Sequence, residues 1–442
     1  MKTNRRSFLK TAGISSAPFI LPSKIWAAET KPNDQIVMGF IGMGKQNKGL
    51  LGTFLQYAEV RVVAVCDVDT TRRENAQRVV NEHYTSKPEL GSADCAAYND
   101  FRELIARDDI DAVCIATPDH WHAIPTIAAL QSGKDVYCEK PLTHNIHEAI
   151  AVIDAVKANR RVLQTGSMQR SMSEFRIACE LVRNGIIGKV EHVDCSFGPP
   201  GVPCDLPEEP LEPGLDWDMW IGPGPVRPYN SVLSPRGLHD HFPNWRAYKE
   251  YGGGMVCDWG AHHIDIAQWG LGMDESGPVE VRPPDDPKAT NGAVFLYDNG
   301  VTVHHVDGFG AEFFGSDGTV KVNRGQFELY IDGIKVAGFV NREDGTLGQA
   351  LKIAEDEYLK DAKVKLYDSD NHLMDFLNCV KSRTRPITNE EVGGRTAICC
   401  HLMNQAYYNH ATIQWKPKRM QLAPGSGKPE WLTREYRGEW KV

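Results

Sequence analysis

The sequence predicts an α/β protein in which a doubly wound parallel sheet is followed by an α+β domain with a large open, mainly antiparallel sheet. Three features predict this fold class. Apolar runs alternate with helical segments up to about residue 165, a glycine-rich turn follows the first run, and short strands separated by turn residues fill the second half. The 442 residues are enough for two or three domains, and 41% hydrophobic with 24% charged residues is typical of a globular protein.

The N-terminal segment has the pattern of an export signal. Residues 4–10 contain two adjacent arginines, residues 11–21 are weakly apolar, and small residues stand at 27–28. A basic, disordered N-terminus is the alternative. The apolar stretch is too short to span a membrane. We therefore expect residues 1–28 to be a twin-arginine signal peptide for export to the periplasm, and we expect no membrane anchor in the mature form.

Charge and cysteine placement argue against two classes of protein. Residues 29–442 carry 44 basic and 58 acidic side chains. The resulting net charge of −14 repels phosphate backbones, so we expect no nucleic-acid partner. Eleven cysteines would suit a disulfide scaffold, but Cys66, Cys114 and Cys138 fall in apolar runs and the total is odd. Because twin-arginine export carries proteins that have folded in a reducing cytosol, we expect mostly free, buried thiols.

Residues 33–165 are predicted to form the parallel sheet. Continuous apolar runs bounded by turn signals indicate strands that are buried on both faces, and the segments between them have the length of helices. We predict strands over residues 36–41, 60–66, 112–116, 136–138 and 162–164, and helices from the first glycines to about residue 57, over 120–131 and over 145–158.

The turn after the first strand has the pattern of a Rossmann-type dinucleotide site. The segment 42–47 fills a G-x-G-x-x-G frame except at its last position, where Asn47 stands. Gly42 permits the tight turn, and Gly44 lets the backbone approach a pyrophosphate that the following helix N-terminus attracts. The alternative is a glycine-rich turn in a sheet that binds no dinucleotide.

An acidic residue at the end of the next strand predicts the cofactor. Asp67 lies where a carboxylate accepts both ribose hydroxyls of NAD and repels the additional phosphate of NADP. Arg72 and Arg73 follow it closely and keep NADP open as the less favoured cofactor. The sequence therefore predicts bound NAD.

Polar residues also follow the later strands, where ligand crevices form in doubly wound sheets. The segment 117–122 follows one strand, and we interpret its Asp119 as a helix N-cap. Glu139-Lys140-Pro141 follows another strand. A lysine between a buried strand and a proline lies where desolvation favours the neutral amine. The alternative is a solvated loop lysine.

A third polar group lies in the second half of the chain, in residues 239–246 and 252–265. Asp258 and His262 are four residues apart, so on a helix they share one face. A carboxylate there raises the basicity of an imidazole and orients it as a general base for a hydroxyl proton. Zinc is the alternative, but hydride and proton transfer need no metal and no spaced Cys or His frame is present, so we expect no metal. The zinc ligands would come from His239, His241, Asp258, His262 and His263.

Residues 166–442 are predicted to form an α+β domain for substrate binding and oligomerisation. One face of its sheet can cover the crevice, and the other can bury against a second subunit. Residues 298–300 have the sequence of a hairpin turn. The Pro- and Gly-rich segment 199–235 is predicted to be a long loop, either a lid over the substrate site or an arm between subunits. We predict strands over residues 190–197, 294–297, 301–306, 319–322 and 327–331, and helices over about 371–381 and 395–406 that pack back on this sheet.

These motifs stand in the order found in one family. The chain resembles the glucose-fructose oxidoreductase and inositol dehydrogenase (Gfo/Idh/MocA) family over most of its length after the signal, and it is most similar to the exported bacterial branch. The resemblance is carried by Gly42-Met43-Gly44, Asp67, Thr117-Pro118, Glu139-Lys140-Pro141 and Asp258-x-x-x-His262, together with the Trp-rich segment 216–223, Asn244-Trp245-Arg246 and Asn371-His372.

The resemblance implies an NAD(P)-dependent enzyme that acts on a sugar or cyclitol hydroxyl and forms a homo-oligomer, a dimer or a tetramer. Asn47 departs from the usual third glycine, which bears on how tightly the pyrophosphate is held. The implied catalytic positions are Lys140, Asp258 and His262. The implied cofactor-binding positions are Gly42, Gly44, Asp67, Thr117, Pro118, His122, Glu139 and Lys140.

Two enzymatic functions fit these residues. In the first, His262, oriented by Asp258 and assisted by Lys140, takes the hydroxyl proton while a hydride passes to nicotinamide C4. In the second, a glycoside-cleaving enzyme oxidises a sugar carbon transiently, eliminates the aglycone, adds water and returns the hydride. The intact segment 139–141 favours the first. A cofactor-bound sugar sensor is least favoured, because a sensor needs no proton-transfer set. Four tryptophans could either stack on the face of a sugar ring or be buried in a core: Trp217, Trp220, Trp245 and Trp259.

Overall fold

The computed structural model describes residues 35–442. The predicted signal peptide, residues 1–28, lies outside the described residues. Among the helices of residues 35–442, none combines the length and apolar character needed to cross a membrane. All eleven cysteines of the chain fall in the described part, and all are free thiols. Ten are buried and Cys204 is partly exposed, as the sequence predicted for most of them.

A six-stranded parallel sheet forms the first part of the described chain, which confirms the predicted doubly wound architecture. The strand order is β3-β2-β1-β4-β5-β6, and every neighbouring pair is parallel. The order reverses between β1 and β4, so the crevice of the sheet opens at the carboxyl ends of these strands. The strands are β1 (Ile36–Ile41), β2 (Val60–Cys66), β3 (Ala96–Tyr98), β4 (Ala112–Ile115), β5 (Asp135–Cys138) and β6 (Leu163–Thr165), and the helices between them are α1 (Lys45–Phe54), α2 (Thr70–Ser86), α3 (Phe101–Ile105), α4 (Ala123–Gln131) and α5 (Ile146–Asn159).

Helices cover both faces of this sheet, which explains its continuous apolar runs. Every residue of β4 and β5 is buried. On one face Met38 and Phe40 pack with α1 and α2, and on the other Ile41 packs with α3 and α4. α5 begins at Asn145, whose side chain accepts a hydrogen bond from the backbone N–H of Glu148 at 2.9 Å. This N-cap fixes where the chain turns into the helix.

A ten-stranded sheet dominates the second part of the chain. Its order is β14-β13-β12-β11-β7-β10-β9-β8-β15-β16. Within residues 35–442, β7 and β10 are its only parallel pair, so the prediction of a large, mainly antiparallel sheet is confirmed. Its strands are β7 (Val190–Ser196), β8 (Glu280–Arg282), β9 (Val294–Leu296), β10 (Thr302–Val306), β11 (Ala311–Gly315), β12 (Gly318–Asn323), β13 (Gln326–Ile331), β14 (Ile334–Phe339), β15 (Ile413–Lys416) and β16 (Gln421–Leu422).

The turn between β9 and β10 is a hairpin, as predicted. Gly300 has a φ of +85°, which favours glycine, and the N–H of Tyr297 donates to the carbonyl of Val301 at 2.9 Å. The helices of this part are α6 (Ser173–Arg183), α7 (Trp217–Ile221), α8 (Gly254–Asp258), α9 (Gly260–Leu271), α10 (Leu347–Ile353), α11 (His372–Ser382) and α12 (Glu390–Asn409). Short 3-10 turns lie at Asp119–Trp121, Met168–Ser171, Asn244–Ala247, Arg342–Asp344, Pro417–Arg419 and Pro429–Leu432, with a π turn at Ala354–Tyr358.

The two predicted C-terminal helices pack on different sheets. α12 joins α6 and α9 against the ten-stranded sheet, in a core that includes Ile264, Phe313 and Met403. The prediction that the other helix also packs there is wrong. α11 buries Phe376 and Leu377 in the core of the six-stranded sheet. The apolar spacing of a helix specifies which of its faces is buried but not which sheet that face meets.

Candidate active site

A cavity of about 640 Å³ opens at the carboxyl ends of β1, β2, β4 and β5. Its volume lies in the range of small-molecule sites. Residues from the second part of the chain close it from the other side, among them Trp245, Trp259 and Arg324. Every residue that the sequence predicted as catalytic or cofactor-binding lines this cavity: Gly42, Gly44, Asp67, Thr117, Pro118, His122, Glu139, Lys140, Asp258 and His262.

The glycine turn after β1 leaves room where a pyrophosphate would approach. Gly42 has a φ of +81°, and a Cβ atom there would lie 2.8 Å from the backbone nitrogen of Thr117. Only glycine fits this close contact between two strand ends. Gly44 is the N-cap of α1, and a Cβ atom on it would meet nothing within 4 Å. The turn therefore combines a tight bend with an open helix N-terminus, the arrangement that binds phosphate groups.

Asn47 substitutes for the third glycine by filling the space between helix and sheet. Its side chain is fully buried, and its amide donates to the carbonyl of Ile41 at 3.1 Å. The thiol of Cys114 in β4 donates to the Asn47 side-chain oxygen at 3.3 Å. The amide thus joins α1 to β1 and β4. Close packing of the helix on the sheet is retained without the glycine.

Asp67 at the end of β2 is buried and holds the glycine turn through its carboxylate. One oxygen accepts the N–H of Met43 at 2.6 Å, and the other accepts the N–H of Asp69 at 2.8 Å. Burial raises the pKa of Asp67, and the nearby charge of Arg72 opposes this. An ionised carboxylate can accept about four hydrogen bonds, so two positions remain for a ligand.

Arg72 and Arg73, the two residues that left NADP as an alternative cofactor, both form hydrogen bonds within the protein. Arg72 donates to Pro235 O and, at 3.4 Å, to Ser234 Oγ. Arg73 donates to Asp67 O at 2.5 Å and to Asn99 Oδ1 at 3.2 Å. Their guanidinium groups tie α2 to neighbouring backbone. Neither guanidinium group is therefore free to bind the additional phosphate of NADP.

The loop after β4 contributes His122, one of the implied cofactor-binding residues, to the cavity wall. His122 lines the cavity, but its ring nitrogens lie 2.7 Å from Pro141 O and 2.9 Å from Thr117 O. Burial lowers the pKa of His122 to about 4, so the ring is neutral and can donate only one of these bonds. The ring therefore connects the loops after β4 and β5, and offers no free nitrogen to a ligand.

The interpretation of Asp119 as a helix N-cap is wrong. Pro118 is the N-cap of the 3-10 turn Asp119–Trp121, and the Asp119 side chain makes no capping hydrogen bond. The turn starts one residue earlier than the N-cap assignment assumed. Asp119 instead lines the cavity near the charges of Arg246 and Lys140. Burial raises the pKa of Asp119 well above its usual range.

Glu139 and Lys140 follow β5 and point to different partners. Glu139 accepts from Gln46 Nε2 at 2.8 Å and from its neighbour's N–H at 3.2 Å. Burial raises the pKa of Glu139, with Lys140 opposing the shift. The Lys140 ammonium forms an ion pair with the carboxylate of Asp258 and also donates to the Asp258 carbonyl at 3.2 Å. This pair joins residues 118 positions apart and connects the two parts of the chain.

Asp258 does not orient His262 as the four-residue spacing predicted. Asp258 ends α8, and α9 begins only after Trp259, so the two residues do not share one continuous helix. The Asp258 carboxylate contacts Lys140 and lies 3.8 Å from Nε of Arg246. Burial alone would raise the pKa of Asp258, but these two cations hold it below its ordinary value.

His262 is buried in the cavity wall as a neutral ring. Its Nδ1 has no hydrogen-bond partner within residues 35–442. Burial lowers the pKa of His262 well below its ordinary value, and the charges of Lys140 and Arg324 lower it further. A neutral imidazole beside a lysine ammonium and a carboxylate can accept a proton from a ligand hydroxyl.

Three of the four candidate tryptophans line the cavity: Trp220, Trp245 and Trp259. Trp217 lies behind them, stacked on Trp220 with ring centroids 4.6 Å apart. No sequence pattern indicated Arg324, which reaches the cavity from the β12–β13 hairpin. Its neighbours in the sequence form an ordinary turn, so only the packing of the sheet against the crevice reveals it.

No three of the five residues considered for zinc bring ligand atoms together among the described residues, although the ring centroids of His239 and His241 lie 4.5 Å apart. Among the described residues, one group of His, Cys or carboxylate side chains brings three possible ligand atoms within 4.8 Å of one another. That group is His192, Asp194 and His304, on β7 and β10, and it contains none of the five.

Two family models match the chain. Residues 36–167 match an oxidoreductase family with an NAD-binding Rossmann fold, and residues 201–442 match the C-terminal α/β domain of the same family. The chain therefore belongs to the Gfo/Idh/MocA family of oxidoreductases.

Individual relatives are more distant. A glycosyl hydrolase family 109 protein from Shewanella pealeana is 31% identical over 215 residues, which are 45% of this chain and 46% of that protein. The chain thus matches about half the length of such curated relatives. An aldose-aldose oxidoreductase from Caulobacter crescentus is 18% identical, with a TM-score of 0.56 over 86% of this chain and 99% of that one. The WlbA dehydrogenase from Bordetella pertussis is 15% identical, with a TM-score of 0.59 over 87% and 99%. These two structures share the fold.

Proposed function

We propose that this protein is an NAD-dependent oxidoreductase that transfers a hydride between a hydroxyl carbon of a sugar or cyclitol and nicotinamide. The observation that carries the proposal is that one cavity joins a dinucleotide-type glycine turn to the Lys140–Asp258 ion pair and His262. Membership of an oxidoreductase family supports the reaction class. When bound, NAD supplies the hydride acceptor.

The residues around the glycine turn fit NAD better than NADP. Gly42 and Gly44 leave the backbone of the turn open to a pyrophosphate. Asp67 retains acceptor capacity for ribose hydroxyls, and its charge disfavours a phosphate at the same place. Arg72 and Arg73, the residues that would favour NADP, already donate to protein acceptors.

Proton transfer falls to His262 and Lys140. Burial disfavours the charged form of His262, so the ring is neutral and has a nitrogen available for the proton of the substrate hydroxyl. Lys140 is held by Asp258, so its ammonium is fixed at the cavity wall and can stabilise the developing alkoxide. Asp258 is a positioning residue in this scheme. Trp245 and Trp259 supply flat apolar walls of the kind that stack on sugar rings.

A second candidate function is NAD-assisted glycoside cleavage by transient oxidation and elimination. The glycosyl hydrolase family 109 relatives favour it. It begins with the same hydroxyl oxidation and therefore uses the same proton acceptor. The intact Glu139-Lys140-Pro141 segment is the reason that we prefer the net oxidoreductase.

One experiment distinguishes the two functions. NAD-loaded protein is incubated with 4-nitrophenyl glycosides and with the free sugars, while nicotinamide reduction and nitrophenol release are followed separately. Oxidised sugar matched by reduced cofactor, or by reduction of a second sugar, supports the oxidoreductase. Nitrophenol release with the cofactor returning to its starting state supports glycoside cleavage. If neither signal appears with a broad sugar panel, the proposed function is wrong.

We also propose export and self-association, which rest on other parts of the chain. The twin-arginine pattern in residues 1–28 supports a periplasmic location, tested by cell fractionation of the full chain and of an Arg5→Lys, Arg6→Lys variant.

The face of the ten-stranded sheet opposite its helices carries partly exposed side chains such as His192 and Phe314. This face supports a homo-oligomer, a dimer or a tetramer. Light scattering at several concentrations tests that proposal.

A further inference from the structure

The cavity holds more positive than negative charge beside the proposed catalytic residues. Lys140 and Arg246 both lie against the single carboxylate of Asp258. Arg324 also lines the cavity, yet it forms no ion pair and its guanidinium donates no hydrogen bond to any acceptor in residues 35–442. Asp119 and Glu139 are the remaining acids nearby, and burial disfavours the charged form of each. Arg324 is an exposed residue, and its guanidinium is left without an anionic partner among residues 35–442.

Neighbouring residues position Arg324, but its guanidinium forms no hydrogen bond or ion pair with residues 35–442. Its guanidinium lies over the ring of Trp259, 4.7 Å from the centroid, which is a cation–π contact. The hairpin that carries it is pinned on both sides, because Asn323 Nδ2 donates to Phe309 O at 2.6 Å and Gly325 N–H donates to the buried carboxylate of Glu174 at 2.9 Å. A guanidinium stacked on an indole keeps its N–H groups free at its edge. Such a fork matches the two oxygens of a carboxylate.

The position of Arg324 separates it from the cofactor phosphates. Its charge acts on Asp258 and His262, and its ring contact is with Trp259 between them. The glycine turn and Asp67 follow β1 and β2, whereas Lys140 follows β5, and β4 lies between these strands in the sheet. An anion that binds Arg324 is therefore part of the substrate, which lies against Lys140 and His262, and is not a phosphate of the cofactor.

We propose that Arg324 forms an anion subsite and that the substrate is a sugar bearing a carboxylate, such as a uronic acid or its glycoside. This inference rests on the proposed function for the identity of the sugar as substrate. The carboxylate accepts two N–H groups of Arg324, and the sugar ring lies against Trp259. A neutral sugar of the same shape binds more weakly, because it leaves the guanidinium unpaired.

Binding is measured separately from turnover, with protein loaded with NADH, since the reduced cofactor cannot accept a hydride. Isothermal titration compares methyl β-D-glucuronide, methyl β-D-glucoside and glucose 6-sulfate. We expect the glucuronide to bind at least tenfold more tightly than the glucoside. Arg324→Gln should remove this difference and leave glucoside affinity within twofold. Arg324→Lys should restore only part of it, because a lysine keeps the charge but not the fork.

The matched control is Arg342→Gln, which removes the same charge from an exposed turn outside the cavity. It should leave all three affinities unchanged. Equal binding of glucuronide and glucoside by the wild-type protein overturns the subsite, as does tighter binding of the sulfate or an equal effect of both glutamine variants. Failure of the proposed function looks different. In that case, glucuronide binding depends on Arg324, yet no sugar changes the redox state of the NAD-loaded protein.

Discussion

Asp67 carries two roles at once, because the carboxylate that faces the ligand also accepts two backbone N–H groups of the surrounding turns. Replacing Asp67 with Ala should weaken NAD binding by about 1–3 kcal/mol more than NADP binding, on the scale of a lost charge-assisted hydrogen bond. Fluorescence titration with NADH and NADPH measures this difference. Asp67→Asn separates the effects, since it keeps an acceptor for the turn but loses the charge. A wild-type preference for NADP would show that the ribose assignment is wrong.

Lys140 and His262 can be tested by separating turnover from cofactor binding. Lys140→Ala and His262→Ala should each lower kcat by a factor on the order of 10² or more, because each removes a group that handles the proton. Affinity for NADH should stay nearly unchanged, since neither residue holds the glycine turn. Lys381→Ala, an exposed lysine on α11, is the control. Turnover within about threefold of wild type would remove the tested residue from the mechanism.

The pH profile reports the protonation state of His262. Burial and the charges of Lys140 and Arg324 lower the pKa of His262 below its ordinary value of 6.5. The base must be neutral, so kcat/KM for a neutral sugar should stay flat from about pH 8 down to pH 6.5 and fall only below that. Arg324→Gln removes one positive charge and raises the pKa of His262, so the acid limb should move to higher pH. An unchanged acid limb in this variant would contradict the assignment.

At the scale of elements, α11 shows how a helix of the second part stabilises the first sheet. Phe376 is fully buried and packs edge-on against Tyr137 of β5, with ring centroids 5.9 Å apart. Phe376→Ala should destabilise the protein by about 3–5 kcal/mol, the cost of a large cavity in a core. Asn378→Ala, on the exposed face of the same helix, should change the free energy of unfolding little.

Hydrogen exchange locates the effect of this substitution. In Phe376→Ala, protection should fall in β1, β2 and β5, whereas β11 to β13 of the ten-stranded sheet keep theirs. Loss of protection in the second sheet instead would mean that α11 stabilises that sheet. Chemical denaturation of both variants supplies the matching free energies.

Several elements lacked a clear sequence signal, and the reasons are physical. α2 buries only Arg72, Ala76, Val80 and Tyr84, a stripe too narrow to produce a strong apolar pattern. β11 buries Ala311 and Phe313 but leaves its other residues partly exposed, and β14 buries only Ala337. Their pairing partners β7 and β13 were predicted. Edge and linking strands of this kind are defined by the hydrogen bonds of their neighbours more than by their own composition.

At the scale of the whole molecule, residues 234–246 connect the second part of the chain to the dinucleotide end of the cavity. Arg72 donates to Pro235 O, and Lys48 of α1 donates to Asp240 at 2.9 Å. His239 and Phe242 of this segment line the cavity. If this segment must move before an enclosed ligand can leave, the ligand dissociates slowly. Slow dissociation is the usual source of high affinity.

We therefore predict that the protein retains NAD through purification and restores it in each catalytic cycle, either by passing the hydride to a second sugar or by a transient oxidation that is undone within the same substrate. A protein exported to the periplasm meets little free NAD, so a freely exchanging dehydrogenase would stop after one turnover. Protein purified without added cofactor and freed of small molecules is incubated with candidate sugars. Sustained product formation, with bound NAD returning to its starting redox state, is the expected result. Cofactor-free protein that works only with stoichiometric external NAD would contradict the prediction.

The sequence by itself determined five of the six strands of the first sheet, the glycine turn and the residues at the strand ends. These features are local: parallel strands all end at one edge, so Gly42, Asp67 and Lys140 had to meet there once the strands were recognised. The hairpin at residues 298–300 was readable for the same reason, since its turn is set by adjacent residues.

Only the tertiary structure decided how the second part of the chain completes the site. The partner of Lys140 is 118 residues away, Arg324 comes from a hairpin of the other sheet, and Asp258 pairs with Lys140 instead of His262. A sequence pattern shows that a side chain is polar or that a helix has a buried face. It does not show which distant surface that side chain or face will meet, because that is settled by the packing of two sheets and their helices into one core.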